Sequence, residues 1–282
     1  MKRVLLRVAY DGTAYHGWQV QPGAVTIEGV LNEKLSRLTG EDIIVIGASR
    51  TDAGVHAQGN VAVFDTGSSI PAERFSYALN TLLPEDISCN ESFEVPAGFH
   101  PRKTDTEKTY EYTILNTEFP IPGRRNYAWH VKPELDVDKM RAAASVLIGP
   151  HDFRGFCSSK TQAGSTVRTI YSINIFEERI NNKQIITDHD LKDVTSGRIS
   201  DKKNKQAATG GREIKIVVCG NGFLYNMVRI IAGTLANAGG LGKLTPKDVA
   251  YALETKNRSL AGLTAPPQGL CLSDIYFPEL ER

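Results

Sequence analysis

The sequence predicts an α+β fold: two ferredoxin-like, RRM-like halves, each a largely antiparallel sheet with helices on its outer face, and a cleft between them. Three observations predict it. The chain has 282 residues, against a usual ~100–200 per domain, which suits two domains or one large one. The first hundred residues read β-α-β-β-α-β, the order of a split β-α-β unit. The remainder allows the same β-α-β order again, without enough sequence similarity between the halves to establish a repeat.

In the first half, "RVLLRVAYDG" is rich in Val and Leu and ends at Asp-Gly, so it reads as a strand followed by a loop. From Thr26 the apolar residues Ile27, Val30, Leu31, Leu35 and Leu38 recur at helical spacing, with Thr26 as N-cap and Gly40 as the stop. "DIIVIGAS" reads as a buried strand and "GNVAVFDT" as an alternating one. "PAERFSYALNTLL" starts with Pro and has helical periodicity, and "DISCNESFEV" is a strand.

In the second half, "EKTYEYTILN" alternates as a half-buried strand should, and "DVDKMRAAASVLIG" is a helix capped by Asp136 and ended at Gly149. "VRTIYSINIFEE" and "REIKIVVCG" are strands on either side of a polar excursion over 181–211, which holds too few large apolar residues to build a core. "FLYNMVRIIAGTLANAGG" and "TPKDVAYALE" are helices, and "GLCLSDIYF" closes the chain as a strand. "FHPRKTDT" interrupts the strand patterns, which sets the boundary between residues 1–104 and 105–282.

Composition excludes several classes of function. With 41% hydrophobic and 23% charged residues the chain reads as a globular protein, and a net charge of +1 excludes a polycation that binds nucleic acid through bulk charge. The four cysteines are far apart, with no C-x-x-C, which argues against a zinc site or a disulfide framework and for a reducing, cytoplasmic setting. No apolar run approaches the ~18 residues of a membrane span, and the N-terminal run is too short for a signal-peptide core.

"GASRTDAGVHAQGN" holds one carboxylate, Asp52, two residues from Arg50. No second acid lies at a local spacing that would give the paired carboxylates of glycoside hydrolysis. An arginine within ~4–6 Å would hold the aspartate ionised by lowering its pKa ~1–3 units, which suits a nucleophile or a base and not a general acid. Spacing alone favours a plain turn, with Asp52 bonded to backbone N–H groups. His56 reads as a turn or packing residue without a catalytic role.

"SRTDAGVHA" resembles the signature of the tRNA pseudouridine synthase A family, and "AYDGTAYHGWQVQP", "FHPRKTDTEKTYEYT", "FLYNMVRIIAG" and "LTAPPQGLCL" resemble its other conserved segments, in the same order and over nearly the whole chain. The resemblance implies an isomerase that converts uridines of the tRNA anticodon stem-loop, at positions 38–40, to pseudouridine. Asp52 would be the catalytic residue and Tyr110 the active-site tyrosine. Arg229 would pair with the aspartate, and Arg50 would enter the space left by the displaced nucleotide. Leu270 either packs against the uracil or belongs to the core. The resemblance further implies a cytoplasmic homodimer that binds tRNA and needs no metal or other cofactor.

The chemistry accounts for a lone acid. Pseudouridine formation detaches uracil from C1′, rotates it and rejoins it through C5, so an acid that activates water would be a liability. Asp52 would either attack C1′ or remove the C2′ proton. Two features depart from the family pattern: Ser49 stands where glycine is the expected residue, and the 181–211 excursion is long. The main alternative is a non-catalytic RNA-binding protein with an RRM-like sheet, which leaves Arg50, Asp52, Tyr110 and Arg229 unexplained. A nucleoside hydrolase would need a second acid or a calcium-binding carboxylate cluster.

Overall fold

The computed structural model describes residues 1–159, 161, 163–180 and 211–280; the excursion at 181–210 lies outside them. The strands are β1 (Lys2–Tyr10), β2 (Ile46–Gly47), β3 (His56–Thr66), β4 (Ile87–Val95), β5 (Glu107–Asn116), β6 (Trp129–Val131), β7 (Gly149–Asp152), β8 (Val167–Arg179), β9 (Arg212–Gly220) and β10 (Leu270–Tyr276). The α-helices are α1 (Ile27–Thr39), α2 (Phe75–Asn80), α3 (Val137–Ser145), α4 (Met227–Ala236) and α5 (Pro246–Thr255).

The α+β class holds, and the two halves meet edge to edge in one sheet of order β4-β1-β3-β10-β5-β9-β8-β7, with β2 on β3 and β6 on β5. The final strand makes the junction. β10 runs parallel to β3 over Cys271↔His56 and Leu272↔Ala57 and antiparallel to β5, where Leu272 faces Tyr110. This register brings the segment just before β3, which carries Asp52, beside the start of β10 and the middle of β5. A single hydrophobic core runs through both halves, with Trp18, Phe64, Tyr112 and Phe153 among its fully buried side chains.

Local chemistry sets the elements. Thr26 Oγ1 accepts the Gly29 N–H at 3.3 Å to start α1, and Gly40 ends it in the left-handed conformation at φ 74°. In β5 the inward residues Tyr110, Tyr112 and Ile114 are buried on alternate positions.

Several boundaries differ from expectation. "DIIVIGAS" pairs as a strand only at Ile46–Gly47. The Ile43 N–H goes to Ser36 Oγ and the Val45 N–H to Asn32 Oδ1, so α1 side chains satisfy the backbone that a neighbouring strand would otherwise bond. The "PAERFSYALNTLL" helix shrinks to α2 behind a 3₁₀ turn at Ala72–Arg74. The α3 helix stops at Ser145, because Gly149 at φ 103° opens β7 instead of capping the helix. Residues 223–226 form a loop ahead of α4, ending at Asn226 with φ 62°.

Candidate active site

Asp52 lies in the loop between β2 and β3, and buried polar contacts clamp that loop from below. Asn60, fully buried, donates from Nδ2 to the Ser49 carbonyl and to the Tyr10 hydroxyl, both at 3.1 Å, and the Tyr10 hydroxyl meets Thr51 Oγ1 at 2.8 Å. Residues on both sides of Arg50 are thereby fixed. The N-terminal loop closes over the same segment: the Trp18 N–H donates to the Thr51 carbonyl at 3.0 Å and the Gly54 N–H to the Tyr15 carbonyl at 3.3 Å. The close approach requires glycine at position 17, where φ is +88° and a Cβ would lie 2.6 Å from the Thr51 carbonyl oxygen.

Thus "YDGTAYHGW", which composition alone presents as a surface or RNA-touching loop, is in good part a scaffold. Tyr15 and Trp18 are buried beneath the Asp52 loop.

The Asp52 carbonyl accepts the Val55 N–H, as a turn residue's would, but its carboxylate does not cap the turn. Oδ2 meets Arg229 Nη1 at 3.2 Å, and both side chains are largely buried. The arginine is itself held, with Nε donating to the Ala265 carbonyl and Nη1 to Asn226 Oδ1, each at 2.8 Å. The left-handed backbone of Asn226, a conformation that asparagine tolerates well, turns its amide toward Arg229.

Arg50, the neighbour in sequence, is not the partner of Asp52. It is exposed, and its Nη1 reaches Gln19 Oε1 at 3.3 Å. The expectation that an arginine holds Asp52 below the usual carboxylate range is overturned as well. Burial raises the pKa of Asp52, and the Arg229 charge and hydrogen bond offset that only in part.

Asp52 opens onto a cavity of ≈ 1140 Å³, larger than the ~300–1,000 Å³ usual for a small-molecule pocket. Arg50, Tyr110 and Leu270 share its wall, and the guanidinium of Arg229 stands behind Asp52. Tyr110 is buried among Ser49, whose Oγ lies 2.9 Å from its hydroxyl, and Phe223, whose ring packs edge-on at 5.2 Å. Burial, with a smaller effect from the Asp52 charge, pushes its phenol up to about 12, so it is neutral at pH 7. Leu270, at 6% exposure, is both a core residue and part of the cavity wall.

His56 is a packing residue by geometry. Nδ1 accepts the Gly12 N–H at 3.1 Å, which assigns the ring proton to Nε2 and its bond at 2.8 Å to the Asn126 carbonyl. Among the described residues, no group of three His, Cys, Asp or Glu side chains could hold a metal ion.

The sequence profile described as tRNA pseudouridine synthase matches residues 7–102 and 143–278, which is most of the chain. The chain belongs to the tRNA pseudouridine synthase family. It is 44% identical, over 98% of its length and 100% of the relative's, to the tRNA pseudouridine synthase A of a Thermoanaerobacter species. The protein of that name from Ruminiclostridium cellulolyticum is 43% identical with the same coverage, and that from a Geobacter species is 41% identical over 99% and 100%. A chain of the archaeal box H/ACA sRNP Nop10-Cbf5 complex overlays at a TM-score of 0.32 and 12% identity, covering 91% of this chain and 59% of that one, which is too weak a likeness to carry an argument.

In this tRNA pseudouridine synthase family member, the fold brings Asp52 and Arg229 into contact across 177 positions of sequence and sets Tyr110 and Leu270 on the wall beside them. Three further residues position these groups: Ser49 at the Tyr110 hydroxyl, Asn60 beneath the loop and Asn226 at Arg229. Sequence reasoning missed all three as functional. Ser49 carried a signal as the departure from glycine; Asn60 and Asn226 carried none, because each acts through a contact that only the folded chain creates.

Proposed function

We propose that this pseudouridine synthase isomerises uridines of the tRNA anticodon stem-loop, at positions 38–40, with Asp52 as its catalytic carboxylate. The observation that carries the reading is the largely buried carboxylate of Asp52, anchored by Arg229 at the edge of a large cavity and sharing its wall with Tyr110. A carboxylate more basic than an exposed one, with its other oxygen free of protein partners among the described residues, is suited either to attack C1′ or to take the C2′ proton. Breaking the C1′–N1 bond frees uracil. The base rotates within the closed pocket, C5 bonds to C1′, and the C5 proton leaves as N1 gains one.

Arg229 orients Asp52 and opposes its protonation, offsetting part of the effect of burial. Tyr110, neutral at the outset, presents its hydroxyl for relaying the C5 proton, with Ser49 Oγ as the adjacent acceptor or donor. Arg50, exposed at the mouth and tied among the described residues only to Gln19, is free to swing into the gap that an extruded nucleotide leaves, where its planar cation replaces part of the lost stacking. Leu270 supplies an apolar wall for the base. Two chains acting as a homodimer would share the long tRNA footprint, in the cytoplasm, where tRNA is modified.

The test is direct. Purified protein is incubated with unmodified tRNA transcripts, and pseudouridine is mapped by chemical labelling and primer extension. Label at positions 38–40 is the expected result; label confined to another arm would contradict the site assignment, and no label on any tRNA would contradict the reaction.

A further inference from the structure

Among the described residues, Lys108 is the one lysine of the cavity wall that the reaction leaves without a role while the fold holds it partly buried. It stands two residues before Tyr110 on β5, hence on the same face and about 7 Å away. Its ammonium donates to the Ala48 carbonyl at 2.8 Å and makes no ion pair among the described residues. Burial first, then the nearby charges of Arg102 and Arg168, pull its pKa down to about 8.

Arg102 and Arg168 share that wall. Among the described residues, the Arg168 side chain is bound only to the carbonyls of Ser165 and Val167, and its Nε lies 3.6 Å from the position a Cβ would take on Gly222, so it lies flat along the loop that leads to Phe223. The acids on the same rim, Asp105 and Glu107, pair with none of the three cations among the described residues. Three like charges gathered with no ion-pair partner among the described residues repel one another, an arrangement that costs stability unless a ligand supplies the anion.

Resting on the reading that a uridine nucleotide enters beside Tyr110, we propose that Lys108, Arg102 and Arg168 form a binding site for one backbone phosphate, that of the target nucleotide or its immediate neighbour. The spacing suits it: a base against Tyr110 puts its own phosphodiester within about one nucleotide length, the reach that separates Tyr110 from Lys108. The site would fix the depth to which the nucleotide enters, independently of base identity. Lysine serves here as a point charge while the arginines offer forked donors, the usual combination on phosphate oxygens.

A thermodynamic cycle on binding tests this. Asp52→Ala protein, which holds substrate without turnover, is titrated with tRNA assembled by ligation so that the phosphate 5′ or 3′ of the mapped uridine is an uncharged methylphosphonate. Neutralising one of the two flanks should weaken binding about tenfold, the worth of one charge-assisted contact. In the Lys108→Met background the same change should cost less than about twofold, and the slope of log K against log salt should fall by about one. Arg102→Gln, at an exposed position, is the second variant and should show the same loss of coupling if Lys108→Met fails to fold. Fully additive effects at both flanks for the variant that folds would overturn the proposal. Failure of the underlying reading is distinguishable, because turnover on tRNA would then persist near the parent rate in Asp52→Ala and in Tyr110→Phe, before any substitution at the phosphate site is made.

Discussion

At the scale of single residues, burial and charge pull the proposed catalytic carboxylate, Asp52, in opposite directions. In the proposed mechanism its ionised form is the reactive one, so kcat/KM should rise with pH through a pKa above the ordinary aspartate value of ~3.9. Arg229 lowers that pKa, so Arg229→Gln should move the acidic limb to higher pH, while Arg229→Lys, which keeps the charge, should move it less. A pH profile of single turnover measures this, and an unmoved limb in Arg229→Gln would mean that the arginine acts only by packing. Tyr110→Phe keeps the ring and loses the hydroxyl, so tRNA binding should persist while turnover falls by ~10²-fold or more. Ser49→Ala removes the partner of that hydroxyl. Its penalty should vanish in the Tyr110→Phe background, since a serine that acts through the phenol has nothing left to act on; additive losses would assign Ser49 to the loop alone.

At the scale of elements, the strongest sequence signals were those with local causes. Thr26 and Gly40 mark α1 because caps are properties of a few consecutive residues. The alternation of Tyr110, Tyr112 and Ile114 marks β5, although only its first half is half-buried: from Tyr112 on, Thr113 and Leu115 of the opposite face are buried as well. "DIIVIGAS" misled because its buried Ile43 and Val45 have the composition of a strand, while Asn32 and Ser36 of α1 take their N–H groups. The Arg50–Asp52 adjacency misled for a related reason: residues two apart in a turn need not face each other, and the fold brought Arg229 instead. The loop of Gly12 to Trp18 shows its supporting role only in three dimensions. Gly17→Ala should therefore impair the site more than the fold, with kcat falling by at least about tenfold as the Thr51 carbonyl is displaced, while the melting temperature drops by only a few degrees. Calorimetry alongside turnover checks this; a parent-like kcat in Gly17→Ala would mean that the loop is not a scaffold for Asp52.

At the scale of the whole molecule, one sheet unites two halves that the sequence presents as separate β-α-β units, and the join is the place where chemistry gathers. β10, the last strand, inserts between β3 and β5, so that the N-terminal Asp52 loop, the central Tyr110 and the C-terminal Leu270 meet although 218 positions separate the first from the last. Order along the chain revealed the β-α-β pattern; it carried no information on which edges would meet, because edge pairing depends on shape and register across the junction. The net charge of +1 likewise concealed the gathering of Arg50, Arg102, Lys108 and Arg168 along one cavity, where a polyanion could be held. If phosphate contacts spread over such a surface supply most of the affinity, losing the proposed catalytic carboxylate should leave binding of the whole tRNA nearly unchanged. Tritium release from tRNA carrying [5-³H]uridine, measured for Asp52→Ala beside the unaltered protein with affinity determined on the same RNA, tests that assignment most directly. The expected result is release by the unaltered protein, none above background by Asp52→Ala, and dissociation constants that agree closely; release by Asp52→Ala near the parent rate would remove Asp52 from the chemistry.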